Sequence, residues 1–201
     1  MKKSFIIKFM IFLFLILFFC IVGYKFFIVG HNKNIEDVKE LDEYILNIND
    51  YETEAKVTVY SNKTQNTYGV KQYKKGDYQK QEIFEDSTQN GIIIENDNET
   101  LRIKNTLLST ERVFNDYRYV LNNAVCLNVF INDYVSSEEK LVEEDKTYYI
   151  LKVKNRDSKN KYTESKELYF NKHNNQIEKI KVKDVNNNVT ILIEYTKFRM
   201  L

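Results

Sequence analysis

Apolar residues run unbroken from Phe9 to Tyr24, with Lys8 and Lys25 at the two ends. A membrane-spanning helix needs about 20 apolar residues. This run reaches that length if the flanking lysines snorkel and the Phe5–Ile7 and Phe26–Val29 stretches contribute. The pattern therefore predicts an N-terminal membrane anchor over residues 1–30. Next, Ile35, Val38, Leu41, Ile45 and Ile48 recur at helical spacing. With Asn34 as N-cap and acidic residues in the first turn, they predict an amphipathic helix of three to four turns.

From Tyr51 the period falls to two. Ala55, Val57 and Val59 alternate with Lys56, Thr58 and Tyr60. After the polar stretch SNKTQN, TYGVKQYKKGDYQKQEIFE reads as two strands joined at Lys75-Gly76-Asp77. GIIIEN, TLRIKN and LLSTERVF follow as short strands. YVLNNAVCLNVFINDYV then returns to helical character, with Leu121, Val125, Leu127, Phe130, Ile131 and Tyr134 on more than one face. A helix apolar nearly all round is buried on several sides. Four further strands close the chain, and NKHNNQ supplies a hairpin turn between two of them. The expected fold class is α+β. A strongly curved antiparallel sheet of about 10–11 strands, a half-open barrel, wraps round helices in an extracytoplasmic domain over residues 31–201.

A cleaved signal peptide has a shorter apolar region followed by small residues. Here bulky Phe18-Phe19 precede Cys20, which disfavours both cleavage and lipidation, so an uncleaved anchor is expected. Lys2, Lys3 and Lys8 precede the span, which places the short tail in the cytoplasm and the domain outside. The net charge is +1 with signs mixed, so no nucleic-acid partner is expected. Proline and tryptophan are absent, and the abundance of Asn, Lys, Ile and Tyr suggests an AT-rich genome. Cys20 and Cys126 lie on opposite sides of the expected membrane boundary and cannot pair within one chain. Cys126 reads as a small buried hydrophobe.

No zinc-protease, dithiol, nucleophile-elbow or phosphate-loop motif occurs. His31 abuts the anchor and His173 sits in the NKHNNQ turn. The Glu138-Glu139 and Glu143-Glu144 pairs read as solvated loop rather than a calcium site. The expected catalytic, metal and cofactor residues are therefore none. Tyr60, Tyr68, Tyr73, Tyr78, Tyr148 and Tyr149 fall on strands. Cross-strand pairing accounts for them more simply than a binding face does. A half-barrel also leaves two open edges, where a partner strand can add and neighbouring tyrosines can anchor it.

The segments NINDYETEAKVTVYSNK, TYGVKQYKKGDYQKQEI, GIIIENDNETLRIKN and ELYFNKHNNQIEKIKVKDVNNNVTILIEYTKF together resemble the lipoprotein-carrier (LolA/LolB-like) fold across residues 34–199. Within that fold the membrane attachment and AT-rich composition most resemble the GerS group of germination lipoproteins from clostridial spore formers. Two departures stand out: no lipobox precedes Cys20, and Gln176 stands where carrier-like chains often have proline. The resemblance implies a non-enzymatic, membrane-tethered module. Its partner would be a CwlD-like N-acetylmuramoyl-L-alanine amidase acting on spore cortex, and its loss would impair germination. A carrier or sensor of an acyl chain is the alternative, and a homodimer stays open.

Overall fold

In the computed structural model the described residues are 35, 37–61, 63–85, 90–97, 99–115, 125–155 and 160–201. The expected anchor, Cys20, His31 and Leu121 lie outside them. Among the described residues no helix is long and apolar enough to cross a membrane.

Helix α1 spans Val38–Leu46, three residues short of the expected start. Asp37, not Asn34, is the N-cap, and its carboxylate accepts the Glu40 N–H at 2.9 Å. A charged cap satisfies an orphan donor and the helix dipole together, which explains the later start. Leu41 and Ile45 are fully buried, whereas Val38 is half-exposed.

Six strands follow: β1 Tyr51–Tyr60, β2 Gln65–Lys75, β3 Tyr78–Phe84, β4 Ile92–Asn96, β5 Thr100–Asn105 and β6 Thr110–Asn115. Helix α2, Leu127–Ser136, comes next. Five more strands complete the chain: β7 Leu141–Glu144, β8 Tyr148–Lys154, β9 Ser165–Asn171, β10 Gln176–Lys183 and β11 Val189–Met200. Gln65 and Asn66 belong to β2 rather than to the preceding turn, and Leu107–Ser109 are turn rather than strand. Gly76 has a φ of +55°, the conformation that a two-residue hairpin loop needs at its first position.

All eleven strands form one open antiparallel sheet in the order β6-β5-β4-β3-β2-β1-β11-β10-β9-β8-β7. Successive strands are neighbours except across α2, which carries the chain from one edge to the other. The β1–β11 ladder joins the two halves, with a bulge at Glu54/Ala55.

Cross-strand registers sort the side chains onto two faces. The inner face carries Tyr51, Ala55 and Val57 of β1, Val70 and Gln72 of β2, Ile193 of β11, Ile180 of β10, Leu168 and Phe170 of β9, and Leu151 of β8. All of these are buried. On α2, seven of the ten residues, from Leu127 to Tyr134, are buried. This helix touches side chains of β3 and of β9, which lie five strand spacings apart in the sheet. On a flat sheet that distance is about 24 Å, whereas the helix from Asn128 to Asp133 rises only about 7–8 Å. Long side chains and curvature of the sheet make up the difference.

Candidate interaction site

The inner face is seated on α2 by polar side chains as well as apolar ones. Cys126 is the N-cap residue of α2, and its side chain caps nothing. The first N–H groups of a helix lack internal partners, and here the sheet supplies them. Leu127 N donates to Gln72 Oε1 at 3.2 Å, and Asn128 N donates to Tyr51 Oη at 3.1 Å. Gln72 Nε2 returns a bond to Val125 O at 2.9 Å, and Asn128 Nδ2 reaches Gln79 Oε1 at 3.1 Å. Burial and the neighbouring Cys126 hold the Tyr51 hydroxyl far above its ordinary pKa, against the opposing effect of the Asn128 amide, so it stays protonated. Only about 20 Å³ of space remains beside these groups, between Tyr51, Gln72, Ile94 and Cys126.

Further along α2, Asp133 and Lys166 of β9 form a buried ion pair at 2.5 Å, with the lysine side chain 1% exposed. The next residue, Tyr134, turns toward α1 and donates to Asp42 Oδ1 at 2.6 Å. Burial, then the Asp42 carboxylate, raises the Tyr134 pKa strongly. Consecutive residues thus tie one helix to the sheet and to the other helix.

The outer face is built differently. Along one row the ladders align Arg199, Glu52, Tyr73, Lys80, Glu95 and Arg102. A parallel row aligns Lys197, Glu54, Lys71, Glu82, Ile93, Lys104 and Glu111. Charge alternates from strand to strand, interrupted only by Tyr73 and Ile93, so every cross-strand contact between charged residues is attractive. Lys197–Glu54 at 2.9 Å, Arg199–Glu52 at 3.0 Å, Lys104–Glu95 at 2.8 Å and Arg102–Glu111 at 2.8 Å are close pairs. A groove of about 500 Å³ runs over this face between Glu52, Lys71, Lys80 and Arg199.

Toward β7 the outer face becomes aromatic. Lys179 lies over both Tyr148 and Tyr169, at 5.1 and 4.7 Å, and Lys181 lies 4.7 Å over Tyr169. Glu167 accepts from Lys183 at 2.6 Å and from Tyr169 at 3.0 Å. Burial raises the pKa of this carboxyl, but Lys183, Tyr169 and Lys152 outweigh that and hold it below the usual range. The Tyr169 hydroxyl is pushed up to about 12 by burial and by Glu167.

Of the residues singled out in the sequence, Val125, Leu127, Phe130 and Ile131 are buried around α2, and Phe130 stacks on Tyr134 with ring centroids 6.0 Å apart. Val125 precedes the helix proper. Cys126 is a buried thiol that donates to Gln81 Oε1 at 3.7 Å. His173 sits in the β9–β10 turn, its N–H on Asn171 Oδ1. The acidic pairs do not converge. Glu139, Glu143 and Glu144 each hold a different lysine, and the last two belong to strand β7 rather than to a loop. Among the described residues no group of three or more His, Cys, Asp or Glu could hold a metal.

The tyrosines pair with one another across strands, Tyr73 with Tyr78 and Tyr148 with Tyr169. None lies on the edge strands β6 or β7. Five buried polar residues that the sequence pattern does not single out, Gln72, Gln81, Asn128, Asp133 and Lys166, lie between the inner face and α2. On the strands their signal was parity: Gln72 shares its face with Val70, and Lys166 with Leu168 and Phe170.

An open antiparallel sheet that seats a buried helix on its inner face and alternates charge across its outer face defines the scaffold. The chain belongs to the sporulation protein YdcC-like family, whose pattern it matches over residues 7–201. Among solved structures it is similar to a chain of the complex between the CwlD amidase and the GerS lipoprotein from Clostridioides difficile. That match has 25% identity and a TM-score of 0.52, covering 84% of this chain and 96% of that one. A conserved protein from Thermus thermophilus shares the fold at a TM-score of 0.52, with 8% identity over 82% of this chain and 88% of that one. A LolA superfamily protein from Nitrosomonas europaea overlaps less, at a TM-score of 0.42 and 13% identity over 80% and 93% of the two chains. No curated protein shows significant sequence similarity to the chain.

Proposed function

We propose that this chain is a non-enzymatic binding module, tethered to the membrane by residues 1–30, that positions or activates a spore-cortex N-acetylmuramoyl-L-alanine amidase. In this reading its counterpart in the C. difficile complex is GerS, and cortex modification and germination depend on it. One observation carries the proposal: 25% identity across 96% of a chain from a complex between such an amidase and its lipoprotein partner. Membership of a sporulation family supports it. The acyl-carrier alternative needs an apolar hollow, and the space at the start of α2 is small and bordered by amides.

The test is co-purification of the full chain with the CwlD-like amidase of the same organism, followed by amidase assays on peptidoglycan with and without it. A complex is expected, with higher amidase activity in its presence and no hydrolysis by the chain alone. Hydrolysis by the chain alone rejects the module. Tight lipid binding with no complex at micromolar concentration supports the carrier instead.

A further inference from the structure

The turn between β5 and β6 is firmly built yet presents apolar side chains to solvent. Leu107 N and Leu108 N both donate to Asn105 Oδ1, at 3.1 and 3.0 Å. Thr106 N and Thr106 Oγ1 both donate to Gly91 O, each at 3.0 Å. Gly91 has a φ of +79°, and a Cβ there would lie 2.5 Å from Thr106 Oγ1, so the glycine is what lets the turn sit against the start of β4. On this support Leu107 and Leu108 are each 70% exposed. A slack loop can fold its leucines back; a turn pinned by four hydrogen bonds holds them out. Directly after it runs edge strand β6, exposed at all six residues, Val113 and Phe114 among them.

We propose that the Leu107–Leu108 tip and edge strand β6 form one docking surface for a protein that offers an apolar pocket beside an exposed strand. Under the functional reading above, on which this rests, that protein is the amidase. A strand edge is recognised by another backbone, and the leucines beside it supply the anchor that backbone pairing lacks. The local charges favour a protein over an anionic lipid surface, which selects clustered, unmatched lysine and arginine. Here Lys104 is matched by Glu95 and Arg102 by Glu111, each at 2.8 Å, so among the described residues at this edge exposed Arg112 stands as a single cation rather than part of a cluster.

The chain contains no tryptophan, so Leu108→Trp places a single indole at the tip. The full chain is reconstituted in phosphatidylcholine/phosphatidylglycerol vesicles, and wild-type spectra are subtracted to isolate that indole. It should emit as a solvent-exposed group and shift to the blue when the CwlD-like amidase is added. Leu107→Ser with Leu108→Ser should weaken the complex by about tenfold or more, the scale of a lost hot spot, and leave the melting temperature unchanged. Wild-type affinity in the double variant, with no indole shift, overturns the docking surface and leaves the amidase reading standing. No complex with the wild-type chain overturns both. An indole quenched by brominated lipid before amidase is added assigns the tip to the membrane, and a shift driven by the chain's own concentration assigns it to a second copy. Either result overturns the proposal.

Discussion

Lys166 on the inner face of β9 holds Asp133 at 2.5 Å, and Lys197 on the outer face of β11 holds Glu54 at 2.9 Å. The two contacts are chemically alike, but the first pair is 1% and 3% exposed and the second 72% and 29%. Water solvates the outer pair whether or not it forms, so forming it changes little. The inner pair has surrendered its hydration, and its members depend on each other. The inner face therefore uses charge to fix one position of α2, with the amides of Gln72 and Asn128 adding further geometric conditions. The outer face uses charge as an alternating surface on which no one pair matters much.

The largest effect is expected at Lys166. Lys166→Ala leaves Asp133 charged in an apolar setting and should cost about 3–5 kcal/mol. Replacing both members, Asp133→Leu with Lys166→Met, should recover most of that loss, because no charge is then left buried and unpaired. Urea unfolding of the two variants decides it. A double variant as unstable as the single one would show that the pair contributes stability itself rather than specifying where α2 lies.

That pair also marks the limit of what the sequence discloses. Alternation of apolar residues, short apolar runs between turn residues, and the Lys75-Gly76-Asp77 and NKHNNQ turns located ten of the eleven strands among the described residues. Strand β7 escaped notice, since LVEE has only two apolar residues and three of its four positions are exposed. Asn34 and Asp37 are both good caps by type, and only the Glu40 N–H bond separates them. A polar residue on an inner face reads as an error in the pattern until its partner is known, and the partner is distant in sequence: Lys166 lies 33 residues from Asp133, and Gln72 lies 55 from Leu127. The tip at Leu107–Leu108 was legible in retrospect. Asn105 and Ser109 bracket it as turn residues do, and reading the leucines as strand followed apolarity and ignored them.

A smaller effect is expected within the inner region. Tyr134→Phe keeps the ring stacked on Phe130 and removes only the hydroxyl that donates to Asp42. Hydrogen bonds to charged groups contribute about 1.5–3 kcal/mol. Lys140, 3.6 Å from Asp42 Oδ2, can make up part of the loss, so a cost of about 1–2 kcal/mol is expected. The bond ties α1 to α2, so amide exchange should accelerate in Val38–Leu46 before it does in β1. Uniform acceleration across both would show that the hydroxyl supports the whole core instead.

The smallest expected effect belongs to the outer face and concerns pH. Glu167 is held below the usual carboxylate range by Lys183, Tyr169 and Lys152 in spite of the burial that opposes them. A carboxyl whose folded pKa is depressed adds stability above its unfolded pKa, near 4.3. It loses that contribution as pH falls through the lower folded value. Glu167→Gln should therefore be less stable than wild type at pH 7, by on the order of 1 kcal/mol, because the carboxyl is buried but Lys152 and Lys183 reach solvent. That corresponds to about 2–4 °C in melting temperature for a chain of this size. The gap should close as the buffer is taken below pH 4, where the wild-type carboxyl takes up its proton. High salt at pH 7 should narrow the gap as well, because these charges border solvent, whereas salt should barely touch the cost of Lys166→Ala. A gap at Glu167 that ignores both pH and salt would mean that its hydrogen bond to Tyr169 matters more than its charge, and that the outer face near β9 behaves like the inner one.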